Sequence, residues 1–194
     1  EDPAIRNNAL GFVKNFALKN KKYIGNMIPP MIPVLTKALS QEAFEEPMRA
    51  LLEKVEKDKP TESLLEKICE RFGSYSETSA AKKKLARNLA FCLSELDYSE
   101  RVFKKISSDH CYERYRQWLR DDDVREYFLA IAAKARKAGT NPRQGGTAQP
   151  ERRDRATIDE WEARIVADAS IVTVQPYSVG PTGANDGQND DIEE

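Results

Sequence analysis

The residues able to do chemistry are few in this chain. One histidine, His110, stands beside Cys111, one of three cysteines. A thiol and an imidazole can build a nucleophilic cysteine, but adjacent helical side chains do not face each other, and such pairs meet through the fold. The dipeptide therefore reads as a local accident in a polar stretch. A lone histidine also excludes a multi-histidine metal site within the chain. Asp121, Asp122 and Asp123 form a dense carboxylate run. It lacks the alternating ligands and the glycine of a calcium loop, and capping of the helix that follows explains it. GxGxxG, GxxxxGK[ST], HExxH and GxSxG do not occur. Cys69, Cys92 and Cys111 are an odd count without a CxxC, two of them on apolar helix faces. They read as small buried hydrophobes in a reducing compartment. An enzyme is the poorest reading, and no cofactor, metal or small-molecule ligand is expected.

The remaining chemistry is cationic. Lys82, Lys83, Lys84 and Arg87 lie on one predicted helix, and Arg101, Lys104 and Lys105 on the next. On neighbouring helices of a stack they could share an edge and displace DNA counterions. Glu77, Glu95 and Glu100 are interleaved, so a solvated helix face is the competing reading. Residues 139–194 carry five arginines, no lysine and eleven carboxylates, a net of −6. That leaves +5 on residues 1–138, so a mildly basic body bears an acidic tail within a chain of net charge −1.

The elements that would position these groups are helical throughout. Ile5, Ala9, Phe12, Val13, Phe16 and Ala17 share one face of a first helix opened by Asp2-Pro3. The prolines of MIPPMIPVL predict an entry turn, with a second helix starting near Pro30 or Pro33. Phe44, Met48, Leu51, Leu52 and Val55 mark a third, over 43–57, stopped before Pro60. In TESLLEKICERF, Leu64, Leu65, Ile68, Cys69 and Phe72 form a stripe closed by Gly73, with Thr61 or Ser63 as cap. A helix over roughly 78–96 carries Ala81, Leu85, Leu89, Cys92, Leu93 and Leu96. Ser99 caps a helix holding Val102, Phe103 and Ile106, and residues 107–120 read either as its continuation or as a loop with a short helix. Asp121 or Asp122 caps a last body helix, with Val124, Tyr127, Phe128, Ile131, Ala132 and Ala135 inside and Gly139 as its stop.

Starts near 23, 61 and 99 recur every 38 residues, the period of HEAT-type hairpins. The fold class is accordingly all-α, a HEAT-type α-solenoid of stacked antiparallel hairpins over residues 1–138 with a disordered C-terminal tail over 139–194. Within the tail, a short helix at 157–169 opens on a Thr157/Glu160 capping box. Its narrow stripe of Ile158, Trp161, Ile165 and Val166 reads either as an idle transient helix or as a segment docking on a partner through Trp161. No apolar run approaches the ~18 residues of a membrane helix. The Glu1-Asp2-Pro3 start, without Met or a signal-peptide pattern, reads as a piece of a longer protein. No Ser-Pro or Thr-Pro dipeptide invites proline-directed phosphorylation.

KDKPTESLLEKICERF, LARNLAFCLSEL, SERVFKKI, the Asp109–Tyr112 tetrapeptide and VREYFLAIAAKARK resemble the C-terminal HEAT region of the condensin subunit 1 family, the larger non-SMC regulatory subunit of eukaryotic condensin. EDPAIRNNALGFVKNFALKN and the IP-containing helix after it resemble the preceding repeat there. The likeness covers roughly residues 1–138. Its specific part is the Thr61-Glu62-Ser63 stretch with Lys67, Cys69 and Arg71-Phe72, plus Asn88 through Cys92. EEPMRALLEKV reaches the pattern through a short linker, ERYRQWLRDD is longer or more basic than the family's, and the tail carries no likeness. The resemblance implies a scaffold without catalysis. It would bind the kleisin subunit, contact the SMC ATPase subunits and help hold DNA during mitotic chromosome condensation, in the nucleus on chromosomes and for part of the cell cycle in the cytoplasm. A HEAT or armadillo adaptor of transport or phosphatase type, without DNA binding, is the alternative.

Overall fold

The computed structural model describes residues 2–19, 23–55, 59–73, 79–140 and 152–170. Among these residues there are nine α-helices and no strand. The helices are α1 (Pro3–Lys19), α2 (Ile24–Ala38), α3 (Gln41–Leu52), α4 (Lys59–Gly73), α5 (Ala80–Ser94), α6 (Glu100–Ile106), α7 (Asp109–Tyr115), α8 (Asp122–Thr140) and α9 (Arg152–Ala169). A 3₁₀ turn, Arg116–Trp118, links α7 to α8.

Each stripe finds its cover on an adjoining hairpin. In one layer α2 packs on α4, and α4 on α6 and α7; in the other α1 packs on α3, α3 on α5 and α5 on α8. Hairpins α2/α3, α4/α5 and α6–α7/α8 join the layers, as the HEAT-type reading requires. One continuous core runs from Val13 to Ile165. Tyr127 of α8 reaches past α5 to donate to Glu45 of α3 at 3.2 Å. Helix axes in a stack lie about 8–10 Å apart, so this bond between two long side chains ties α8 to α3 across the intervening α5.

Several starts are set as the sequence predicts. The Ser99 hydroxyl accepts from the Val102 amide at 3.4 Å, Asp121 Oδ1 accepts from Val124 at 3.2 Å, and Asp2 accepts from Ala4 at 2.9 Å. Others differ. The helix α2 begins at Ile24, not at Pro30 or Pro33, and keeps Pro29, Pro30 and Pro33 inside it. Burial of Ile24, Ile28, Met31, Ile32 and Leu35 along one face outweighs the backbone bonds those rings delete. The helix α4 begins at Lys59, ahead of the expected caps, and Thr61 is buried in its first turn. The ambiguous stretch 107–120 resolves into α7, capped by Ser108 at 3.4 Å to Cys111, and the 3₁₀ turn. The helix α8 runs through Gly139 to Thr140. The expected tail helix is longer, Arg152–Ala169. The remaining stretches expected to be disordered, 141–151 and 171–194, lie outside the described residues.

Candidate partner-binding surfaces

The seven candidate DNA contacts fall into two sets. Lys82, Lys83, Lys84 and Arg87 occupy the first half of α5, in the layer of α3 and α8. Arg101, Lys104 and Lys105 lie on α6, in the layer of α2 and α4. The α5 set follows the C-terminal end of α4, whereas Arg101 pairs with Glu62 near the N-terminal end of α4. The antiparallel hairpin thus holds the two sets at opposite ends, not on one shared edge.

Most of these cations are also engaged by the protein. Lys84 Nζ donates to the Leu39 carbonyl at 2.6 Å, beside the C-terminal end of α2. Arg87 holds both oxygens of Asp121 at 3.2 Å and Asp123 at 2.9 Å, and these bonds, Asp121 first, raise its pKa above the ordinary arginine value. Lys105 pairs with Glu66 at 3.1 Å, which raises its pKa, and Lys104 pairs with Glu100 on its own helix. Lys83 is exposed and Lys82 half-buried. The pattern stitches successive helices together, since a cation at one helix start meets carboxylates or free carbonyls of its neighbour. Lys134 of α8 repeats the Lys84 device by donating to the Ser94 carbonyl at the end of α5.

His110 is exposed and lies 3.4 Å from the Arg114 guanidinium, while Cys111 is fully buried, so the dipeptide is no catalytic pair. Among the described residues no group of three or more His, Cys, Asp or Glu side chains could hold a metal ion. Cys69 and Cys111 are hydrogen-bonded to each other within the α4–α7 contact, and all three cysteines are buried free thiols. That bond favours ionisation at Cys111, lowered to about 7, while the same bond and then burial push Cys69 up.

Ile158, Trp161 and Ile165 are found inside the protein. The helix α9 lies along α8, and all three side chains are buried, whereas Val166, expected in the same stripe, is half exposed. The Trp161 ring meets Phe103 of α6 edge-on with centroids 5.3 Å apart, and Phe128 of α8 at 6.3 Å. Its indole N–H donates to the Tyr115 hydroxyl at 3.0 Å, and that hydroxyl donates to the Ile106 carbonyl at 2.9 Å. Around this apolar seat runs a polar rim. Arg136 of α8 pairs with Asp159, at 2.7 Å, and with Glu162. Arg164 pairs with Asp109 at 2.7 Å and stacks 3.7 Å above the Tyr112 ring. Tyr112 donates to Asp168 at 2.7 Å. Thus the partner this stripe meets is the body of its own chain. Sequence reasoning missed the receiving residues Tyr112, Tyr115 and Arg136; the aromatic pair three apart on a seven-residue helix was their only visible sign.

Among the described residues no helix is long and apolar enough to cross a membrane. A two-layer stack of antiparallel helical hairpins defines an all-α, HEAT-like solenoid. The model of the non-SMC mitotic condensation complex subunit 1 family matches residues 1–107. Condensin complex subunit 1 of Xenopus laevis is 36% identical over 152 residues, 76% of this chain and 10% of that protein. The Mus musculus protein is 34% identical over 161 residues, 79% of this chain and 10% of its own, and the Homo sapiens protein 31% over 188 residues, 94% and 12%. No solved structure matches. The chain belongs to the condensin subunit 1 family. It spans about a tenth of the length of the curated relatives it matches.

Proposed function

We propose that the chain is a non-catalytic scaffold segment of condensin, holding the kleisin and SMC subunits, and through them DNA, during mitotic chromosome condensation. Its place is then the nucleus and the chromosome, with a cytoplasmic phase in the cell cycle. The observation that carries this reading is membership of the subunit 1 family together with a two-layer stack of helical hairpins. A curved helical surface grips an extended segment of another protein without any reacting group. Protein contact is favoured over direct DNA contact because Lys84, Arg87, Arg101, Lys104 and Lys105 already have partners inside the chain. An adaptor of transport or phosphatase type loses ground to the family match.

Co-purification of the whole gene product from mitotic cells tests the reading. SMC and kleisin subunits should come with it in constant proportion; their absence under gentle extraction would sink it. A salt titration of DNA binding tests the basic residues separately. Reversing Lys83, Lys84 and Arg87 leaves a protein-only scaffold's salt slope unchanged, whereas each lost phosphate contact lowers the slope by roughly one.

A further inference from the structure

We infer that the open face of α1 and α2 is the seat of one more amphipathic helix of the same protein, lying beside α2 in its layer as the hairpin partner of α1. Six large apolar side chains are exposed among the described residues, and five of them gather here. Ile5 and Phe12 are on α1, Met27 and Val34 are on α2, and Tyr23 caps α2. An apolar patch of this kind marks a contact surface. Its spacing is that of a helix seam. Tyr23, Met27, Pro30 and Val34 follow one another at steps of four, three and four residues, and so do Ile5, Ala9, Phe12 and Phe16. One helix meets another at these intervals. All four members of the α2 row are exposed, Val34 to 65%. On α1, Phe12 is 55% exposed and its ring stacks on half-buried Phe16, with centroids 5.8 Å apart. The two rows belong to helices in contact, so one added helix can bury both.

The rest of the stack says what the occupant is. The helix α3 has α2 as its partner in the other layer, α5 has α4, and α8 has α6. The helix α1 meets α3 in its own layer and shares α2 with it. In the other layer α4 lies between α2 and α6, whereas α2 meets α4 on one side only among the described residues. The place beside α2 and α1 is thus one helix wide. The opposite end is closed. There α9 lies on α8 and turns Thr157, Asp159 and Glu160 to solvent, the polar outer face of a terminal cap. The α1–α2 end instead carries the apolar face of an interior repeat. Both helices fall within the residues the family model matches, and the curated relatives hold about ten times the matched length, ample chain for a further hairpin. A helix of the same polypeptide is held beside this face at high effective concentration, so it outcompetes a second copy or another subunit. The inference rests on the stack and on family membership, not on kleisin or SMC binding.

The test uses the whole gene product with photoreactive p-benzoylphenylalanine in place of Met27 or, separately, of Phe12. Glu46, exposed on α3, is the control position. After irradiation and proteolysis, the probes at Met27 and Phe12 should both be joined to one segment outside the 194 residues, with apolar residues at steps of four, three and four. The probe at Glu46 should not reach that segment. In a mixture with isotope-labelled copies, the crosslinks should join only peptides of like label. Crosslinks to a second copy or to another polypeptide overturn the inference, and so does the absence of any crosslink from both positions. Hydrogen exchange gives a second reading without substitution. The amides of α1 and α2 should exchange about tenfold or more slower in the gene product than in the 194-residue chain, with α5 unchanged, because a covered end frays less. Equal rates in the two proteins overturn the inference. Crosslinks that persist in a preparation lacking SMC and kleisin subunits would uphold this seat while the proposed function fails.

Discussion

Asn88 of α5 donates its side-chain amide to the Thr36 hydroxyl of α2 at 2.8 Å, and Thr36 passes its own proton to the Ile32 carbonyl at 2.7 Å. Both side chains are buried in an otherwise apolar seam. The Oδ1 atom of Asn88 has no partner among the described residues. The pair fixes α2 against α5 at one register, since sliding either helix strands a buried amide. Asn88 belongs to the run that carries the family likeness. Thr36→Val keeps the shape and deletes the hydroxyl, and should cost about 1–3 kcal/mol because the Asn88 amide is left unpaired. The double variant with Asn88→Leu should recover part of that loss. Urea denaturation of the four proteins gives the cycle; strictly additive losses would mean the two side chains do not act as a pair.

Tyr115 links α7 to two other elements through one oxygen, accepting from Trp161 and donating to Ile106. Its ring is stacked on Phe128 with centroids 4.2 Å apart. Tyr115→Phe preserves the stacking and leaves a buried indole N–H and a buried carbonyl without partners, at about 1–3 kcal/mol for each group. Trp161→Phe removes the donor itself, so Tyr115→Phe should cost less in that background than in the parent chain. Urea midpoints measure the difference.

The helix stripes and hairpin period were legible because burial repeats with the helical turn, and each of Leu64, Leu65, Ile68, Cys69 and Phe72 is indeed buried. The start of α2 was not, because local rules weigh a proline's lost backbone bond and not the five apolar side chains that tertiary contact buries beside it. The α9 seat was half legible: the Ile158–Trp161–Ile165 stripe announced that something must cover it, but its cover comes from residues 20 to 60 positions upstream, and pairing at that distance leaves no local trace. The partners of the basic residues were hidden for a related reason, since Arg101 and Lys105 find Glu62 and Glu66 only once α6 lies on α4.

Pro30 makes the α2 argument testable. It is exposed in the helix interior, where its ring denies the Asn26 carbonyl an amide donor. Pro30→Ala should stabilise the chain by on the order of 1 kcal/mol, less than the full ~3 kcal/mol of an interior proline because the helix has already adapted to the ring. A raised thermal midpoint is expected, and a lowered one would show that the ring of Pro30 shapes α2 for its packing on α4 and α5.

Three buried thiols make a second probe of the core. Cys69, Cys92 and Cys111 should resist a bulky aromatic disulfide reagent in the native chain and react together in denaturant. Cys69 and Cys111 share the α4–α7 contact, so loosening α7 from α4 should expose these two together ahead of Cys92. Cys111→Ala should cost on the order of 1 kcal/mol through the lost contact with Cys69. Rapid labelling of Cys111 under native conditions would contradict its burial.

Alkaline pH should loosen the α7–α8–α9 end of the molecule. Burial is the leading cause that raises Tyr98, Tyr112 and Tyr115 above the ordinary phenol value, and it lifts Tyr127 to about 12. The unfolded chain returns these groups to a pKa of about 10. A raised folded pKa means that the native state holds its protons more tightly, so the stabilisation is complete below that unfolded value and disappears as pH rises through the folded ones. The contribution of these tyrosines should therefore be level on the neutral side and fall above about pH 10. The Tyr112 phenol faces Asp168, so its ionisation sets two anions against each other and removes the bond that ties α9 to α7. Tyr112→Phe should make the chain less stable at neutral pH and flatten the alkaline decline. Urea midpoints against pH for both proteins check this; an equally steep decline in the variant would clear Tyr112 of the role and leave the effect to Tyr98, Tyr115 and Tyr127.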